Sequence, residues 1–160
     1  MRAVLIQHST AGDIAALDKA LRALSASMGD THRADRDRLA AAGFGTDPCF
    51  HALLAWSGGD VVGAAVYSPL FSTTRGMAGA YVSDLWVAEA LRGAGLGARL
   101  LAAVRDAAAA RWGAGFLRLG VYADNPRARA FYDRLGFVHA PSETYLTLSG
   151  APLAALKGAP

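Results

Sequence analysis

The sequence predicts an α+β (α/β) domain with a central mixed, mostly antiparallel sheet flanked by helices, in the order βααβββαβαβ. Three observations carry this. Short apolar runs alternate with longer segments of helical periodicity. Two of the runs, "CFHALLAW" and "VVGAAVYS", are separated by Ser57-Gly58-Gly59-Asp60, a turn composition that makes them a hairpin. Further on, a strand, a long helix and another strand follow one another, which is one parallel crossover.

In chain order, "RAVLIQ" reads as the first strand. Gly12-Asp13 then opens a helix with Ile14, Leu17, Leu21 and Leu24 at helical spacing. "THRADRDRLAAAGF" carries a cap signal at Thr31 and ends at Gly43, a shorter, charged helix. The hairpin follows, then the loop "PLFSTTRGMAG" and a third antiparallel run, "GAYVSDLWV". From Gly95 to about Arg111, Leu96, Leu100, Leu101 and Val104 form one apolar stripe, and Gly113 to Gly115 stop the helix. "GFLRLGVYA" reads as a buried strand, "NPRARAFYDRLGF" as a capped helix and "ETYLTL" as a last strand. Within the capped helix, Ala128, Phe131 and Leu135 make a core stripe that leaves Tyr132 to one side.

At 160 residues the chain suits a single domain, 1–160, that buries a core without metal or disulfide support. Hydrophobic residues at 53% and charged ones at 18% exclude disorder, and no apolar run approaches the roughly 20 residues of a membrane helix. No membrane partner and no signal peptide are expected. Cys49 is the only cysteine, which fits a reducing, cytoplasmic setting, and its expected role is that of a small buried hydrophobe. The net charge of +3 comes from Lys and Arg scattered along the chain, so no nucleic-acid patch is indicated. The preference for Arg and Ala over Lys suggests a GC-rich bacterial genome. Four histidines lie far apart without ligand spacing, and no metal is expected.

"LRGAGLGARLL", Leu91 to Leu101, places three glycines ahead of the long helix. Helix N-terminal amides lack partners within the helix and lie at the positive end of its dipole, and glycines let an anion approach them closely. Arg92-x-x-Gly95-x-Gly97 would present such a ring of amides to a phosphate. A rival pattern, Gly93-x-Gly95-x-x-Ala98, fits a dinucleotide fingerprint, but there the first glycine follows its strand at once. Here "AEALR" intervenes. A tight turn with no ligand is the third reading.

About 30 residues downstream of the loop, "ADNPRARAFYDRLGF" carries Asn125-Pro126-x-Ala128-x-x-Phe131-Tyr132. The two motifs and their spacing resemble the GNAT superfamily of acyl-CoA-dependent N-acetyltransferases, by motif over about residues 61–148 and by element order over the whole chain. In that family Q/R-x-x-G-x-G/A binds the pyrophosphate of coenzyme A. The resemblance assigns this work to Arg92, Gly93, Ala94, Gly95, Leu96 and Gly97. It implies that Leu85, Trp86 and Val87 border an open strand edge at a bulge, where pantetheine pairs with backbone and one amide polarises the thioester carbonyl. Asn125 and Ala128 would reach the cofactor, although Asn125 before Pro126 is also an ordinary helix start. Tyr132 would protonate the departing thiolate, which suits a phenol with an ordinary pKa near 10.

"YVSDLWV" further resembles the segment Y-L-E-D-F/L-x-V of polyamine and diamine acetyltransferases, whose glutamate falls on Ser83 here. The proton acceptor is therefore open between Ser83 acting through a water and Asp84, which strand alternation points to the other face unless the bulge turns it. Arg99 and Arg129 are candidates for the 3′-phosphate. The implied activity is direct transfer of acetyl from acetyl-CoA to a primary amine of a small molecule. A protein N-terminus or lysine is the alternative acceptor, and a non-catalytic acyl-CoA-binding module is the alternative role. Homodimers are common in the family.

Overall fold

The structure, a computed structural model, describes residues 3–156. It divides into two compact units, Met1–Tyr122 and Ala123–Pro160. The first holds a five-stranded sheet in the order β1-β2-β3-β4-β5, built from β1 (Val4–His8), β2 (His51–Ser57), β3 (Asp60–Ser72), β4 (Met77–Val87) and β5 (Leu117–Leu119). Neighbours are antiparallel except β4 and β5, which are parallel and joined through helix α3 (Leu96–Trp112). Helices α1 (Ile14–Met28) and α2 (Arg36–Phe44) connect β1 to β2.

The β2–β3 hairpin turns as its glycines require. Gly58 and Gly59 both have positive φ, 60° and 91°, so two residues suffice to reverse the chain between Ser57 and Asp60. The expected loop "PLFSTTRGMAG" is instead a second hairpin. β3 runs on to Ser72, β4 starts at Met77, and only the turn between them is non-strand. The apolar residues of that segment sit on a paired ladder, a long-range feature that local turn composition does not encode.

Each sheet face takes one helix stripe. Leu17, Ala20 and Leu21 of α1 pack with Ala52, Leu54, Ala64 and Val66, and Trp56 and Trp86 border this cluster. On the other face Leu96, Leu100, Leu101, Val104 and Ala108 of α3 are buried as the periodicity predicts. Gly63 permits that contact, since a Cβ there would lie 3.0 Å from Leu100 Cδ1.

Asp18 is the one buried charge in the described core, 4% exposed. Arg22 Nε donates to it at 2.9 Å and Arg36 Nε at 3.4 Å, and His32 Nε2 lies 3.7 Å away. These contacts join α1, the following loop and the start of α2. The α2 cap is Asp35, whose carboxylate accepts from Arg38 N at 2.8 Å; the expected cap, Thr31, lies earlier in the loop. The helix also passes Gly43 and stops at Phe44. Cys49 is exposed rather than buried, because it sits in the turn before β2, where its backbone N donates to Ala42 O at 2.7 Å.

The second unit contains α4 (Pro126–Arg134) and α5 (Gly150–Ala154) and no strand among the described residues. "ETYLTL" therefore corrects the expected order: it is irregular chain, with Leu146 92% exposed. Alternation signals a strand only where a neighbour completes the backbone hydrogen bonds, and no strand lies beside this segment among the described residues. "GFLRLGVYA" likewise narrows to the three residues of β5. Leu135 is exposed, since α4 ends at Arg134 and its stripe stops there.

Burial alone would raise the Asp18 carboxyl, but the hydrogen bonds and charges of Arg22 and Arg36 outweigh it and hold the group below its ordinary value. A depressed carboxyl contributes stability above its unfolded value, about 3.9, and loses it as pH falls through the lower folded value. Asp18→Asn should therefore cost about 2 kcal/mol near neutrality. Urea midpoints of parent and variant should converge in acid; a pH-independent gap would contradict this account.

Candidate active site

The register of β3 and β4 contains one irregularity. Val66 is opposite Asp84 and Tyr67 is opposite Val82, so Ser83 is an extra residue on β4. This is the bulge that the resemblance implied. It falls where β5 leaves the sheet, because β5 pairs only with Ala80, Tyr81 and Val82. From Ser83 to Val87, β4 keeps β3 on one side and has no described strand on the other. Alternate amides of Leu85, Trp86 and Val87 are thus available to an added extended group.

The bulge also decides the Ser83 and Asp84 geometry. Strict alternation would place them on opposite faces, yet Ser83 Oγ donates to Asp84 Oδ2 at 2.7 Å. Asp84 is opposite Val66, on the sheet face covered by α1. The two candidates form one hydroxyl–carboxylate pair, with no cation on the carboxylate among the described residues. Trp86 borders the α1 core while its backbone belongs to the open edge.

The glycine loop follows directly. A short 3-10 turn, Glu89–Leu91, leads from β4, and Arg92 Nε donates back to Val87 O at 3.1 Å. Gly93 and Gly95 have φ of 79° and 80°, and a Cβ at either would meet nothing within 4 Å. Space exists above both, and left-handed backbone is why side chains are absent. Gly95 is the N-cap of α3 and supplies no side-chain acceptor, so the first amides of α3, at Leu96, Gly97 and Ala98, are not capped by a side chain. Gly93, Ala94 and Gly95 are exposed. These amides lie at the positive end of a 17-residue helix, the kind of helix end that attracts an anion. Arg99 is engaged elsewhere, donating to Val4 O at 2.8 Å.

The remaining predicted residues lie in the second unit. Asn125 does the ordinary work weighed above: its side chain accepts from Ala128 N at 3.0 Å and Pro126 follows at N1. Tyr132 packs edge-on against Phe137, with ring centroids 5.5 Å apart, and beside Phe131 at 5.1 Å. Burial pushes its phenol above the ordinary value. It therefore stays protonated throughout the neutral range, as a proton donor must. Arg129 pairs with Asp133 at 2.8 Å. Sequence reasoning gave no role to the contact between Tyr122 and Asp30, whose hydroxyl and carboxylate meet at 3.0 Å across 92 positions. No short-range signal encodes it.

The chain is also similar to known proteins. The chain is 31% identical over 146 residues to thialysine N-epsilon-acetyltransferase of Bos taurus, covering 85% of each. Among solved structures, an integron cassette protein from the mobile metagenome of V. cholerae superposes with a TM-score of 0.78 at 22% identity, covering 96% of this chain and 97% of that one. An aminoglycoside N-acetyltransferase in complex with CoA gives 0.74 at 15% identity, covering 94% and 97%. The model of the acetyltransferase (GNAT) family matches residues 17–137, across both units, and the chain belongs to that family.

Proposed function

We propose that residues 1–160 act as one acyltransferase domain that moves acetyl from acetyl-CoA to a primary amine of a small molecule. The observation that carries this reading is the Ser83 bulge. One extra residue opens the β4 edge and joins a hydroxyl to a carboxylate beside it. Relatives named for thialysine and aminoglycoside acetylation support an amine on a small molecule as the acceptor. The single, exposed cysteine fits a reducing cytoplasm.

In this reading the amides around Gly93, Gly95 and Gly97 hold pyrophosphate, the Leu85–Val87 edge aligns pantetheine, and one of its amides polarises the thioester carbonyl. The acceptor arrives as an ammonium, since an alkylamine is protonated near neutrality. Asp84, oriented by Ser83, attracts it and takes its proton. The neutral nitrogen then attacks the carbonyl carbon. The C–N bond forms, the C–S bond breaks, the nitrogen's second proton passes to solvent, and the thiolate takes a proton in the role the resemblance gives to the phenol of Tyr132, with solvent restoring the donor. Serine replaces the glutamate of the polyamine-acetylating pattern, so Asp84 carries the local negative charge alone.

Thermal melting with acetyl-CoA followed by thiol release with an amine panel tests the proposal. Tyr132→Phe should lower kcat by about a hundredfold or more while the acetyl-CoA-induced rise in Tm persists. Cofactor stabilisation with no thiol release from any amine would leave an acyl-CoA-binding module in its place.

The glycine loop has its own test. Gly95→Val forces a β-branched residue to φ near 80° and should cost about 1–2 kcal/mol and abolish the acetyl-CoA shift. Gly113→Ala, strained at φ 65° but at the other end of α3, should lower Tm and keep the shift. Equal loss in both variants would detach the loop from cofactor binding.

A further inference from the structure

An open groove of about 570 Å³ lies on the α1 side of the sheet, between α1, the start of α2 and the β2–β3 hairpin. Ala15, Ala16 and Val61 give it an apolar stretch, and Trp56 borders it. Lys19, Arg22 and Arg36 bring three cations to its wall, against the carboxylates of Asp18 and Asp60. Along β3, Val61 is opposite Trp56 and Val66 is opposite Asp84. Five residues of extended strand, about 17 Å, therefore separate the groove from the Ser83 bulge. α3 packs on the opposite face of the sheet.

Asp18 prearranges two of the cations. Its oxygens are taken up by Arg22 Nε at 2.9 Å and Arg36 Nε at 3.4 Å, which fixes both guanidinium groups by their inner nitrogen. The terminal nitrogens remain. Those of Arg36 have no acceptor among the described residues, and Arg22 Nη2 has only Ala34 O, at 3.5 Å. Both side chains are more than half exposed, at 52% and 63%. Lys19 is exposed and forms no ion pair among the described residues, with Asp60 or any other carboxylate. Ser9 Oγ, His32 Nε2 and Trp56 Nε1 are the buried side-chain polar atoms that lack a hydrogen bond among the described residues. Two of them adjoin the Asp18 cluster: His32 Nε2 lies 3.7 Å from Asp18 Oδ1, and Trp56 borders the groove. Folded chains leave few such groups unpaired, so the groove gathers more hydrogen-bond donors than the protein supplies acceptors for.

We infer that this groove is a second ligand site, separate from the transfer site, that takes a phosphate monoester carried on a small apolar body. Guanidinium forks meet phosphate oxygens two at a time, and the Lys19 ammonium adds a point charge. The apolar stretch of Ala15, Ala16 and Val61 accommodates the organic part. A phosphate held there bridges Arg22 of α1 and Arg36 of α2, so its binding stabilises the arrangement of these two helices. The inference is independent of the acceptor assigned above.

The probe is phenyl phosphate, titrated calorimetrically at low salt into the full chain with coenzyme A present in excess, so that a phosphate site in the glycine loop is already filled. Phenyl phosphate should bind about threefold more tightly than inorganic phosphate, and benzyl alcohol should give no binding heat. Lys19→Met should weaken phenyl phosphate about three- to fivefold, as one solvent-exposed charge allows, and Arg36→Gln about tenfold. Asp60→Asn removes an opposing charge and should tighten binding about twofold. Far-ultraviolet circular dichroism matching the parent shows that each variant folds. No binding at millimolar phenyl phosphate, or an affinity that Lys19→Met and Asp60→Asn both leave unchanged, overturns the inference. Binding that is seen with the free protein and lost when coenzyme A is added places the phosphate in the glycine loop and overturns it as well.

Discussion

The organisation of the first unit depends on one extra residue in β4. A regular ladder would carry β4 and β5 side by side and pair every amide between them. Ser83 interrupts the register with β3 at the level where the β5 pairing ends. Backbone that would otherwise be satisfied within the sheet becomes an open edge, and two neighbouring side chains that should diverge meet at 2.7 Å. A bulge thus accompanies an open edge and a polar pair at one point of the strand.

The surrounding structure holds that distortion in place from both faces. Below it, the α3 stripe is buried, with Leu100 and Val104 fully inaccessible, so the helix whose first amides follow the glycine loop cannot drift. Above it, α1 is tied to α2 through Asp18, a carboxylate whose burial is offset by two guanidinium groups. Replacing such a cluster with apolar residues could be neutral for stability. What it secures here is the path of the chain from Gly29 to Asp35, which delivers Asp30 to Tyr122.

Electrostatics follow a simple division. Asp18, which ties α1 to α2, is matched with arginines, whereas Asp84 at the bulge is matched with a hydroxyl. A hydroxyl orients a carboxylate without cancelling its charge, which suits a surface that must attract an ammonium and release a neutral amide. The α3 N-terminus behind the glycine loop carries the opposite, positive potential.

Much of this was legible in the chain. The α1 and α3 stripes follow from 3.6-residue spacing, the β2–β3 turn from Gly58-Gly59, and the uncapped start of α3 from Gly93 and Gly95 ahead of Leu96, because each depends on neighbours a few positions away. The family followed from two motifs separated by about 30 residues, read as a resemblance. Local rules misplaced the α2 cap, shortened β3 and β4 into a loop, buried Cys49, and made a strand of "ETYLTL", since exposure and strand pairing are settled by distant partners. Ser83 and Asp84 were both candidates, and only the pairing of Val66 with Asp84 and Tyr67 with Val82 accounts for the hydrogen bond between their side chains. The sequence by itself determined the main helices, the tight turn and the left-handed glycines ahead of α3, all set by local periodicity and backbone conformation. Tertiary structure decided the bulge register, the open edge and the Asp30–Tyr122 contact, because hydrogen bonds between distant segments select one register among several that the local pattern permits.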